Sequence, residues 1–129
     1  MVEIIGNERI GKRIMLVDDD KDILVILKKG LEMKGFEVHA FYDPVQALEL
    51  FKPDYYDIVL TDVKIPGLNG FELYRQIHKQ DEKAKVFFLS AIDIYEHEVK
   101  LAFPNLDPNV FIHKPTIGIN DLVQTIASC

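Results

Sequence analysis

The stretch Ile14-Met15-Leu16-Val17-Asp18-Asp19-Asp20 places four apolar residues directly before three adjacent carboxylates. An apolar run of this kind is typical of a strand that is buried on both faces of a parallel sheet. Two like charges about 4 Å apart repel by roughly 4 kcal/mol at an effective dielectric constant of 20. Acids crowded at the end of a buried strand therefore indicate a site for a divalent cation.

Short apolar segments and helical patterns alternate along the rest of the chain. The predicted strands cover residues 13–17, 37–41, 58–61, 85–90 and 110–113. The predicted helices cover residues 21–34, 45–51, 71–80, 94–103 and 119–127. This alternation predicts an α/β fold with a parallel sheet and right-handed crossover connections.

The bulk composition limits the classes of function. The chain has 129 residues, 48% of them hydrophobic and 28% charged, which predicts one globular domain over residues 13–129 after an N-terminal extension at residues 1–12. The net charge of −6 argues against direct binding to nucleic acid through a basic surface. No apolar run approaches the ~18 residues that span a bilayer, and the N-terminus lacks a signal-peptide core. We therefore expect a cytoplasmic protein without membrane contact.

Polar side chains at or after four of the predicted strands form the candidate site. The first strand is followed by the acid run, the third by Asp62 and the fifth by Lys114, while Ser90 ends the fourth. Open sheets of this class bind ligands beyond the carboxyl ends of their strands. Hard oxygen ligands suit Mg²⁺, and a carboxylate can attack phosphorus to give an aspartyl phosphate. A lysine and a metal ion can neutralise the charge on a phosphoryl group.

Four motifs in this order resemble the response regulator receiver domain of two-component signalling, of the chemotaxis-receiver type. They are "IMLVDDD", "YDIVLTDVKIPGLNGFEL", "VFFLSA" and "FIHKP", and the similarity covers about residues 12–127. The resemblance implies a flavodoxin-like, doubly wound, five-stranded parallel sheet of order 2-1-3-4-5 with five helices. The two prolines in "LAFPNLDPNVFIHKP" depart from the family pattern, so the fourth helix is expected to be short or irregular.

The same resemblance assigns a metal and phosphoacceptor set. It implies that Asp62 accepts the phosphoryl group and that Mg²⁺ is held by Asp18, Asp19 and Asp62. Asp19 would bind the ion directly and Asp18 largely through water, and the backbone carbonyl of Lys64 would complete the protein ligands.

Three further residues have roles implied by the resemblance alone. Ser90 is expected to be the hydroxyl that turns toward the phosphoryl group, and Lys114 is expected to pair with that group. Phe111 is expected to be the aromatic switch residue, although it is equally well explained as a core residue.

The implied function is a signalling switch, not an enzyme that acts on other molecules. A histidine kinase or a histidine phosphotransfer protein would donate the phosphoryl group, and the domain would catalyse only its own phosphorylation and dephosphorylation. The output protein is not identified by the sequence, and a phosphorylation-dependent homodimer remains open.

Two alternatives also remain open. The chain could be a receiver-like binding module that is never phosphorylated. Asp20-Lys21-Asp22 also weakly resembles the Asp-x-Asp start of haloacid-dehalogenase-type phosphatases, which would make Asp20 the nucleophile. The simpler interpretation is that Asp20 caps the first helix.

Overall fold

A computed structural model describes residues 12–63, 68–90, 101, 111–113 and 118–127 of the chain. The elements in chain order are β1 (Arg13–Val17), α1 (Lys21–Met33), β2 (Glu37–Phe41), α2 (Pro44–Leu50), β3 (Ile58–Asp62), α3 (Gly70–Gln80), β4 (Lys85–Ser90), β5 (Phe111–His113) and α4 (Ile119–Ala127). These bounds differ from the predicted ones by one residue at most. The helix expected over residues 94–103 lies outside the described residues, apart from Leu101.

The five strands form one parallel sheet in the order β2-β1-β3-β4-β5. The α/β class and the strand order expected from the family resemblance are both confirmed. In the pairing between β1 and β3, Val17 lies opposite Thr61. In the pairing between β3 and β4, Asp62 lies opposite Leu89. This register brings the ends of the three central strands to the same edge of the sheet.

Helices cover both faces of the sheet, as a doubly wound fold requires. On one face, α1 and α4 pack on the sheet through buried residues that include Leu24, Leu27, Leu31, Leu122 and Ile126. On the other face, α2 and α3 pack through buried residues that include Ala47, Leu73 and Ile77, and Phe51, which directly follows α2, packs with them. The near-continuous apolar strands predicted from the sequence follow from this double coverage. Within the described ranges, no helix is both long enough and apolar enough to cross a membrane.

Helix α1 begins directly after the acid run because Asp20 caps it. The Asp20 side chain accepts hydrogen bonds from the backbone N–H groups of Asp22 and Ile23, at 3.0 and 3.3 Å. These are donors that the first turn of a helix leaves without an intrahelical partner. The helix is followed by Gly35, whose φ of 97° suits glycine best.

The start of α3 lies against the backbone at the end of β3. The Gly70 N–H donates a 2.9 Å hydrogen bond to the carbonyl of Val63. A Cβ atom added to Gly70 would collide with the Asp62 carbonyl oxygen and would lie 3.1 Å from the Val63 Cα atom. Both neighbours are backbone atoms, so the contact cannot be relieved by a side-chain rotation. Glycine at position 70 therefore lets α3 approach the strand end that carries Asp62.

Replacing Gly70 by alanine should lower the free energy of unfolding by about 1–3 kcal/mol, the usual cost of overpacking. Urea denaturation at 25 °C measures this change. Gly118→Ala is the matched control because its added Cβ would meet only an ordinary 3.9 Å contact with Asp121, and it should change stability by less than about 1 kcal/mol. Equal effects of the two substitutions would contradict the close approach.

Candidate metal centre

Three carboxylates from two distant segments converge at the carboxyl edge of the sheet. One carboxylate oxygen from each of Asp18, Asp19 and Asp62 lies within 4.8 Å of the other two. Because Val17 of β1 pairs with Thr61 of β3, the residue that follows each of them reaches the same level of the sheet. The parallel register is therefore what creates the acid cluster.

The three acids differ in their exposure to solvent. Asp18 is completely buried, Asp62 is half-buried and Asp19 is exposed. A buried carboxylate requires hydrogen bonds or a charged partner, since its transfer out of water is otherwise costly. Asp19 offers its carboxylate to solvent at the rim of the cluster, where an ion can enter.

Backbone hydrogen bonds fix the position of Asp18. Its N–H donates to the carbonyl of Phe41 at the end of β2, at 3.1 Å. Its Oδ1 atom accepts from the N–H of Asp20, at 2.9 Å. The chain is thus tied to β2 on one side and to the start of α1 on the other, and the carboxylate is held at the end of β1.

Asp20 has a different role from the two acids before it. Its carboxylate caps α1, and it does not belong to the cluster. The run of three aspartates therefore divides into two residues that contribute to the cluster and one that begins the next helix. The sequence analysis favoured this capping role, and the structure confirms it.

Asp62 is the last residue of β3 and is held between a strand and a helix. The Val63 N–H donates to the carbonyl of Leu89 on β4, at 3.2 Å, and the Thr61 hydroxyl donates to the Asp62 carbonyl, at 3.0 Å. On its other side lies Gly70, whose importance the sequence analysis missed. The Asn69-Gly70 pair was the sequence signal that could have revealed this contact. Asn69 caps α3, and the glycine that follows it leaves room for the end of β3.

The dimensions of the cluster fit a small divalent cation. Mg²⁺ takes oxygen ligands at 2.0–2.1 Å in octahedral geometry, so neighbouring ligands lie about 3 Å apart and opposite ligands about 4 Å apart. Carboxylate oxygens within 4.8 Å of one another approach this spacing. Three negative charges of hard oxygen donors favour Mg²⁺ or a similar cation over the softer metals that prefer nitrogen or sulfur.

The other predicted site residues are only partly described by the structure. Ser90 is the last residue of β4 and lies opposite His113 of β5, and Phe111 is the first residue of β5. The side chains of Ser90 and Phe111 are outside the described part of the chain. Lys64 and Lys114 also lie outside the described residues, so their expected roles stay predictions.

Comparison with solved structures agrees with this architecture. A response regulator receiver domain protein, described as CheY-like, from Methanospirillum hungatei JF-1 superimposes with a TM-score of 0.79. It is 30% identical in sequence, and the alignment covers 92% of each chain. The likeness therefore extends over almost the whole fold.

Curated relatives match over a shorter part of the chain. The phosphoglycerate transport system transcriptional regulatory protein PgtA of Salmonella typhimurium is 36% identical over 77 residues, which are 60% of this chain and 19% of that protein. Sensor protein EvgS of Escherichia coli K12 is 35% identical over 78 residues, which are 60% of this chain and 6% of that protein. The matched region is thus less than a fifth of the length of either relative.

The sequence profile of the response regulator receiver domain matches residues 14–127. This range runs from β1, through both segments that supply the acid cluster, to the end of α4. The chain therefore belongs to the response regulator receiver domain family.

Proposed function

We propose that this domain accepts a phosphoryl group on Asp62 in a Mg²⁺-dependent reaction and thereby switches a partner-binding surface. The observation that carries the proposal is the convergence of Asp18, Asp19 and Asp62 at the carboxyl edge of the sheet. Receiver domains are signalling switches of two-component systems. Membership of this family supports a role for the acid cluster in phosphoryl transfer. The described residues contain no second group of three such ligands.

The three acids would hold the Mg²⁺ ion in unequal ways. Asp19 is exposed, which suits a direct ligand. Asp18 is buried and its Oδ1 atom already accepts the Asp20 N–H, which suits contact with the ion mainly through water. The Lys64 carbonyl remains the proposed additional ligand. A bound Mg²⁺ would supply positive charge against the phosphoryl oxygens.

Asp62 is the proposed nucleophile. One of its carboxylate oxygens forms a bond to phosphorus while the bond from phosphorus to the donor breaks, and the donor leaves with the electron pair. The half-buried position of Asp62 limits its hydration, which strengthens its interactions with nearby charges. Lys114 is proposed to neutralise the transferred group, and Ser90 is proposed to donate a hydrogen bond to it.

The proposed donor is a histidine kinase or a histidine phosphotransfer protein. Phosphorylation would replace the single negative charge of the Asp62 carboxylate with a phosphoryl group that carries about −1.5 to −2 units of charge and three acceptor oxygens. Movement of Ser90 and Phe111 is the proposed route from that charge to an output protein. In this proposal residues 13–129 form the receiver domain and residues 1–12 form an extension before it.

The phosphatase alternative conflicts with the position of Asp20. A nucleophile must be directed at its substrate, whereas the Asp20 carboxylate accepts two backbone N–H groups of α1. The alternative of a binding module that is never phosphorylated predicts no covalent change at Asp62. Labelling of the intact protein separates it from the proposed function.

Asp62→Asn should abolish Mg²⁺-dependent phosphorylation by acetyl phosphate, because the amide is not a competent nucleophile. Intact-protein mass spectrometry measures the phosphorylated fraction. Asp57→Asn is the matched control: it makes the same change just before β3, where Asp57 accepts the Arg13 N–H at 2.8 Å, and it should leave labelling intact. Labelling of Asp62→Asn at the wild-type level would overturn the proposal.

Asp19→Asn should weaken Mg²⁺ binding by about tenfold or more, since ligand charge largely sets the affinity of oxygen sites. Asp20→Asn removes the same charge from the adjacent position but keeps a capping side chain, and it should change affinity by less than about threefold. Isothermal titration calorimetry compares the two variants. An equal loss of Mg²⁺ affinity in the two variants would indicate that affinity depends on the total charge of the aspartate run and not on a ligand at position 19.

A further inference from the structure

Thr61 carries a buried hydroxyl directly before Asp62. None of its surface is exposed, and it lies opposite Val17 of β1 and Phe88 of β4 in the sheet. Both neighbours belong to the apolar cluster on the face that α2 and α3 cover. A valine would have nearly the same shape and would suit these surroundings better, because a buried hydroxyl loses its hydrogen bonds to water. The hydroxyl therefore needs a partner inside the protein.

That partner is the backbone next to the proposed nucleophile. The Thr61 hydroxyl donates a 3.0 Å hydrogen bond to the carbonyl of Asp62. The same peptide unit, here called the 62–63 peptide, carries the Val63 N–H, which donates to the carbonyl of Leu89 on β4 at 3.2 Å. The 62–63 peptide is thus held at its oxygen by a side chain and at its nitrogen by the neighbouring strand.

Helix α3 restricts the 62–63 peptide from another side. A Cβ atom at Gly70 would collide with the Asp62 carbonyl oxygen, so this oxygen lies directly against the start of α3. Rotation of the peptide would move the oxygen away from the Thr61 hydroxyl or against the helix. The direction of a side chain depends on the backbone on both sides of its Cα atom. Contacts that fix the 62–63 peptide therefore also fix the direction in which the Asp62 carboxylate leaves the strand.

We propose that Thr61 is a positioning residue for the phosphorylation of Asp62, because its hydroxyl holds the 62–63 peptide and with it the orientation of the carboxylate. The inference rests on the proposed function and adds to it a residue that acts only through the backbone. Well-oriented groups react faster because they are aligned before the reaction, and a small misplacement removes much of this gain. Attraction between carboxylates and Mg²⁺ depends on distance and less on direction. Loss of the hydroxyl should therefore affect the rate more than metal binding.

Thr61→Val keeps the shape of the side chain and removes the hydroxyl. At saturating Mg²⁺ it should lower the rate of phosphorylation by acetyl phosphate about fivefold or more, while the Mg²⁺ concentration for the half-maximal rate changes by less than about threefold. Thr61→Ser keeps the hydroxyl and should stay within about twofold of the wild-type rate. Time courses followed by intact-protein mass spectrometry give these rates.

The serine variant also separates positioning from stability. Thr61→Ser removes a buried methyl group and leaves a small cavity, so it should lower the urea midpoint of unfolding. A rate that followed stability alone would fall in this variant as well. Near wild-type labelling in a less stable Thr61→Ser protein therefore assigns the effect to the hydroxyl.

Thr125→Val is the matched control for loss of a threonine hydroxyl. Thr125 lies on α4, where its hydroxyl donates a 2.9 Å hydrogen bond to the carbonyl of Asp121. The substitution removes the same kind of bond, from a side-chain hydroxyl to a backbone carbonyl, at a residue that is not part of the acid cluster. It should leave the rate of labelling unchanged.

Amide hydrogen exchange at Val63, followed by NMR spectroscopy, tests the position of the 62–63 peptide without phosphorylation. Relative to the other amides of β3, the Val63 N–H should exchange roughly tenfold faster in Thr61→Val than in the wild type. In Thr61→Ser it should exchange at the wild-type rate, because the donor to the Asp62 carbonyl is kept.

Three results would overturn the role of Thr61. They are wild-type labelling by Thr61→Val, equal losses of rate in Thr61→Val and Thr61→Ser, and unchanged exchange at Val63 in Thr61→Val. A wild-type protein that acetyl phosphate does not label would instead overturn the proposed function. Exchange at Val63 does not require labelling, so the two failures give different results.

Discussion

The pairing register of β1 with β3 is the constraint on which the site depends. Parallel pairing of Val17 with Thr61 makes the residues that follow them neighbours, although they are far apart along the chain. Neighbouring carboxylates repel, so the arrangement needs compensation. The Asp20 N–H supplies part of it at Asp18, and a bound cation would supply more. The sheet, whose central strands are buried on both faces, holds the acids together against their repulsion.

Stability and chemistry occupy different parts of this fold. The sheet and its helices bury the apolar residues in two clusters, one on each face. The acids lie at the edge of the sheet, where the chain leaves each strand and polar groups can reach water or an ion. Gly70 connects the two parts, because its lack of a side chain lets α3 pack directly on the backbone that carries Asp62.

Helix α1 connects the acid run to the core of the fold. The helix begins directly after Asp20, whose carboxylate caps it and so does not belong to the acid cluster. Its buried leucines fix its orientation on the sheet.

The sequence by itself determined the elements and the place of the chemistry. Apolar runs and helical periodicity gave the described strands and helices to within one residue, because these signals act over short distances along the chain. They also placed the acids at strand ends. The strand order came from family resemblance, since periodicity does not say which strand lies beside β1. The grouping of Asp18 and Asp19 with Asp62 likewise came from family resemblance. Only the tertiary structure brought the three carboxylates within 4.8 Å of one another and showed that Gly70 must leave room for the strand. Those outcomes depend on the approach of distant segments, which strand register and backbone packing set.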